Sequence, residues 1–151
     1  MSIAILFHLL AALIWVGGMF FAHQVLRPVA VVQLEPPQRL PLWAGCFDRF
    51  FVWVWVAIMA LLVSGYWMLS EVFGGMAGAG VHIHVMQGLG WVMMALFAWL
   101  YFVPYRRLRA AVTAQDWPTG GHNLNLIRRV VGINLILGLI TSVVGAAGRY
   151  L

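Results

Sequence analysis

Apolar stretches long enough to cross a bilayer recur four times in this sequence and take up most of it. A transmembrane helix needs about 20 such residues, or about 30 Å at 1.5 Å per residue. With 64% hydrophobic and 9% charged residues, the chain cannot cover a water-exposed surface, which excludes an ordinary soluble domain. The runs lack the alternation of a membrane β-barrel, and a backbone in lipid must satisfy its own hydrogen bonds, so helices are the form expected. The expected fold is an all-α integral membrane protein, an up-down four-helix transmembrane bundle forming a single domain over 1–151.

The spans are expected at about residues 2–26, 50–69, 82–103 and 126–151. Arg27-Pro28 ends the first, the Gly-rich stretch from Gly74 to Gly80 closes the second, and Pro104-Tyr105 stops the third. The first run lacks a basic leading segment and outlasts a signal-peptide core, so it is expected to be a retained span. Pro36, Pro37 and Pro41 argue against one helix from Leu34 to Asp48, although Leu42 to Phe47 can lie in the interface as a short amphipathic piece. Asp116 to Gly121 has turn chemistry, and Asn123 or Asn125 can cap the fourth helix.

The net charge of +5 comes from nine Arg, with no Lys, against Glu35, Asp48, Glu71 and Asp116. Arg27, Arg39 and Arg49 lie between spans one and two; Arg106, Arg107, Arg109, Arg128 and Arg129 lie between three and four; the second-to-third loop holds none. By the positive-inside rule both termini face outward, into the periplasm, with Arg149 the one outward cation. No basic stripe is interleaved with aromatics, so nucleic acid is not an expected partner. The lone Cys46 excludes CxxC chemistry, and no hydrolytic triad, P-loop or dinucleotide fingerprint is present.

Ionisable side chains inside a span are costly and therefore informative. From His8, helical steps give Ala12, Trp15, Met19, Ala22 and Leu26; from His84 the same offsets give Gly88, Trp91, Ala95, Ala98 and Phe102. Spans one and three run in the same direction, so both His lie at matching depth near the outer surface, and in an up-down bundle these helices are diagonal partners. Two neutral imidazoles separated by small residues suit haem b, with His8 and His84 as axial ligands, Ala12 and Gly88 leaving room, and Trp15 and Trp91 packing on the ring edge. The same pattern also serves plain helix packing. His82, two residues from His84, points to the opposite side and is expected at the interface, at a haem propionate, or as the alternative ligand. His23 lies near the inner leaflet with Trp99 at the equivalent third-span position, which disfavours a second haem; Asn134 is its expected polar partner.

Eight Met raise a copper alternative, since thioethers suit Cu(I). Met86, Met93 and Met94 share the third span but form no closely repeated cluster, and most methionines are expected to face lipid or fill gaps. Gly18 and Ala22, and Gly138, Ser142 and Ala146, are small-residue stripes that suit close contact within the bundle or in a homodimer.

The segment from His8 to Phe21, with Trp15, the Gly17-Gly18 pair and Phe20-Phe21, resembles the first helix of CopD-type bacterial membrane proteins, whose wider group includes HemJ-type protoporphyrinogen oxidases. Met86-Gln87-Gly88-Leu89-Gly90, Pro104 to Leu108 and Ile127-Arg128-Arg129 resemble the family more loosely. The resemblance implies a multi-pass inner-membrane protein and, through the HemJ-type relatives, haem bound at His8. HemJ-type proteins carry a functional Lys in the third helix, where this chain has Met86 or Gln87, and copper-resistance CopD proteins are larger. The expected function is haem b-based electron transfer with quinone or a periplasmic redox partner, an oxidoreductase role if the chain is an enzyme. The alternatives are copper transport or binding, a protoporphyrinogen-oxidase-like activity, or a structural assembly subunit.

Overall fold

Four long helices account for nearly all of the computed structural model, which describes residues 2–148 and 150; Met1, Arg149 and Leu151, and with them the outward cation and the last residue of the fourth span, lie outside the described residues. The helices are α1 (Ile3–Gln33), α2 (Pro36–Phe73), α3 (Val81–Thr113) and α4 (Trp117–Ala147), each long and apolar enough to cross a membrane. At 31 to 38 residues they outlast the hydrocarbon layer, so their ends reach the headgroup zone.

Every helix runs past its apolar span, and proline explains how. In α1 the turns over Phe21–Leu26, just before Pro28, are wound as π-helix, and in α3 the same happens over Tyr101–Tyr105, which contains Pro104. A proline ring clashes with the carbonyl four residues back and offers no N–H; widening the turn relieves both faults without ending the helix. The expected stops at Arg27-Pro28 and Pro104 are therefore bulges. The expected break between Leu34 and Asp48 is also absent. Pro36 and Pro37 occupy the first turn of α2, where N–H groups have no intrahelical partner, and Pro41 removes one bond near that end. Leu40, Trp43 and Phe47 are buried in the bundle and do not lie along the interface.

The connections are short. Gly74 closes α2 in the left-handed region at φ 64, and the Gly75 N–H returns to the Leu69 carbonyl at 3.0 Å. The cap of α4 is Asp116, whose carboxylate accepts from the Thr119 N–H at 3.2 Å, in place of the expected Asn123 or Asn125. That hydrogen bond holds the Asp116 carboxyl below its usual range, so the cap is present above the ordinary Asp pKa and is lost as the pH falls through the depressed one.

Helix α1 packs against α2 and α4, and α3 packs against α4 and, through its second half, against α2. Helices α1 and α3 therefore face each other across the diagonal, where the Trp15 and Phe97 rings meet edge to face at 6.2 Å. The core is an aromatic interlock. Trp43, Phe47, Phe51 and Trp55 form one row along α2, and Phe97, Tyr101 and Tyr105 form another along α3. Phe51 stacks on Phe47 at 4.9 Å and sits edge-on to Phe97 at 5.3 Å and to Tyr105 at 4.9 Å; Trp55 meets Phe97 at 5.2 Å and Tyr101 at 5.5 Å. The Tyr105 hydroxyl donates to Asp48, which pairs with Arg109 at 3.2 Å and closes the interlock at its Arg-rich end.

The small-residue stripes are used inside the chain. A Cβ added to Gly18 would fall within the Phe50 ring, and one added to Gly138 would meet Val16 at 2.8 Å and Met93 at 3.2 Å, whereas Gly17 has open space. Gly18→Ala is therefore expected to destabilise the bundle by about 1–3 kcal/mol, the usual range for overpacking, while Gly17→Ala is neutral. Thermal unfolding of the two variants in detergent checks this.

Candidate functional site

Toward the Gly-rich turn, the first half of α3 stands away from α2, and the four helices enclose a pocket of about 460 Å³. Its walls are mostly apolar, the surface expected for a ligand site inside a bundle. Across the gap between α2 and α3, the Gln87 side-chain amide donates to the Tyr66 hydroxyl at 3.1 Å.

His8 reaches this pocket from α1 with a defined tautomer. The buried Ser64 hydroxyl donates to the Ala60 carbonyl one turn back in its own helix, so its oxygen accepts from His8 Nδ1–H at 2.9 Å. The proton is thereby fixed on Nδ1, and Nε2 keeps a lone pair for a proton or a cation. Gly65 lies beside the ring, where a Cβ would make an ordinary contact with His8 at 3.4 Å. Below His8, Ala12 and the buried Trp15 continue the α1 wall, as the helical spacing predicts.

The third span is placed differently from the expectation. Trp91 lines the pocket at its rim and is 51% exposed, but His84 and Gly88 are exposed and outside the lining. His82 packs against Gly148 at the end of α4, also outside it. The pocket face of α3 carries Met86, Gln87, Gly90, Met93 and Met94. Met68 joins from α2, and Gly145 of α4 makes room for Met86, whose sulfur would lie 3.2 Å from a Cβ there. The seven- and eight-residue steps from Met86 to Met93 and Met94 mark one helical face, a wider spacing than that of a tightly repeated Met cluster.

The expectation of haem b between His8 and His84 is overturned. Among the described residues no group of three or more His, Cys, Asp or Glu could hold a metal ion, and the imidazole of His84 stands outside the pocket that His8 enters. The bis-His iron site, haem as cofactor and the electron-transfer role built on them fall together, and no resident copper centre replaces them. The expected His23–Asn134 pair is also absent. Buried Asn134 donates to the Met93 carbonyl at 3.1 Å, while His23 packs over Gly132 and accepts from Gln24 at 3.3 Å.

The family model described as copper resistance protein D matches residues 44–147, more than two thirds of the chain, and the protein belongs to that family. The match covers α3, α4 and most of α2, the loosely resembling parts, and leaves out the His8 segment that carries the sharper resemblance. No curated protein and no solved structure matches. With four apolar helices and this membership, it is a multi-pass protein of the bacterial inner membrane.

Replacing Ser64 by Ala removes the acceptor that fixes the His8 proton. Nitrogen NMR of the imidazole is expected to report the Nδ1–H form in the wild type and a mixture of tautomers in Ser64→Ala.

Proposed function

We propose that this chain is a transport-type membrane protein that handles copper ions as passing cargo and keeps no resident metal. Membership of the copper resistance protein D family is the observation that carries this reading. The pocket supports it chemically. A neutral imidazole nitrogen with its lone pair, beside Met68, Met86, Met93 and Met94, offers the soft and borderline donors that Cu(I) prefers. Thioethers are uncharged, so they take up a cation without the deprotonation that a thiolate site requires, and weak ligands release what they bind. Ala12, Trp15 and Trp91 shape the walls around this donor set, and the chain acts as one four-helix domain.

The Arg count supports an orientation. With Arg27, Arg39, Arg49 and the α3–α4 Arg residues cytoplasmic, both termini and the His8 pocket face the periplasmic side. The lipid bilayer is the medium in which all four helices are stable.

Proteoliposomes loaded with a Cu(I) indicator test the reading. His8→Ala and the triple change Met86→Leu, Met93→Leu, Met94→Leu are each expected to slow copper entry by about tenfold or more, the scale on which removing metal-site groups acts. His84→Ala should leave entry unchanged. Equal loss in His84→Ala, or wild-type vesicles no more permeable to copper than protein-free ones, would reject it.

A further inference from the structure

A second pocket of about 150 Å³ lies at the opposite, Arg-rich end of the bundle, between α1, the start of α2 and α4. Arg27, Arg39 and Arg128 line it, together with His23, Asn125 and Trp43. No carboxylate does. Among the described residues the one ion pair joins Arg109 to Asp48 elsewhere in the bundle, and Glu35, one turn before Arg39, forms none. Three like charges from three different helices gathered around one hollow repel one another unless something anionic sits between them.

The local backbone is arranged for this convergence. The π-wound turns Phe21–Leu26 carry His23 and lead directly into Arg27, and such bulges recur at functional sites. His23 Nδ1 accepts from Gln24 at 3.3 Å, and its Nε2 edge faces Gly132 of α4. Arg39 donates to the Leu34 carbonyl at 3.3 Å, which steadies its stem while leaving most of the guanidinium fork free. The site thus presents positive charge and N–H donors, with the Asn125 side-chain amide, above an apolar floor at the Arg-rich end of the bundle.

We infer that this hollow binds a phosphate group, through the convergent Arg27, Arg39 and Arg128 guanidinium groups. Planar forks suit tetrahedral oxyanions better than a single ammonium does, and basic pockets between membrane helices hold anionic headgroups. The phosphate belongs either to an anionic phospholipid or to free phosphate, which share this chemistry.

The test uses the full chain purified in detergent and compares the thermal midpoint and native mass spectrum with phosphatidylglycerol, phosphatidylcholine or inorganic phosphate added. Phosphatidylglycerol should be retained and raise the midpoint, while phosphatidylcholine, whose choline is repelled by the Arg cluster, should do so far less. The double variant Arg39→Gln, Arg128→Gln should bind about tenfold more weakly or worse, whereas Arg106→Gln, Arg107→Gln, which removes the same charge outside the pocket, should bind like the wild type. Displacement of the lipid by inorganic phosphate, or an equal midpoint shift with phosphate alone, assigns the site to the free anion; no displacement assigns it to lipid. Equal retention of both lipids by the wild type with no response to phosphate overturns the inference, as does an equal loss in the two double variants. The wild-type comparison decides the matter even if the Arg39→Gln, Arg128→Gln protein fails to fold.

Discussion

Helices in a bilayer gain little from hiding apolar surface, because lipid tails are as apolar as the side chains they replace. What holds this bundle is shape and ring electrostatics, concentrated where the aromatic row of α2 meshes with that of α3. Phe51 is the keystone, touching Phe47, Phe97, Tyr101 and Tyr105 at centroid distances from 4.9 to 6.1 Å. Each such pair contributes about 0.5–1.5 kcal/mol beyond burial, and geometry confines the contacts to edge-on and offset arrangements that set the register of the two helices. The Tyr105–Asp48–Arg109 chain gives the polar ends of this interlock their partners at the Arg-rich end of the bundle.

That interlock occupies only part of the bundle's length, and its absence elsewhere makes the pocket. Along α3 the ring row ends at Phe97, and the residues facing inward toward the Gly-rich turn become Met94, Met93, Gly90 and Met86. Along α2 the row ends at Trp55, beyond which Leu61, Leu62 and Gly65 face the same space. Tyr66 and Trp91 also border this space, but among the described residues no ring pair joins α2 to α3 there, and the two helices diverge. A rigid half and an open half follow from one change in residue type along two helices.

The four-helix architecture was legible in the sequence because span length is governed by the bilayer, a constraint that acts on any membrane chain. The α1 wall was legible too, since His8, Ala12 and Trp15 follow the helical period and α1 packs on two sides. Helix ends were not: proline breaks helices in water, but here π turns absorb Pro28 and Pro104, first-turn positions absorb Pro36 and Pro37, and α2 continues through Pro41 at the loss of one bond. The rotation of α3 also escaped the reading. Its hydrophobicity is nearly uniform around the axis, so matching offsets from His84 could not say which face turns inward, and Phe97 and Met93 decide it through packing. Four aromatics at four-residue steps in α2 were available as a sign of the interlock.

The mouth between Tyr66 and Gln87 is spanned by one neutral hydrogen bond, a contact worth about 0.5–1.5 kcal/mol net. Among the described residues it is the one side-chain hydrogen bond between α2 and the first half of α3, so this end of the bundle has a single polar tie where the other end has a web of rings.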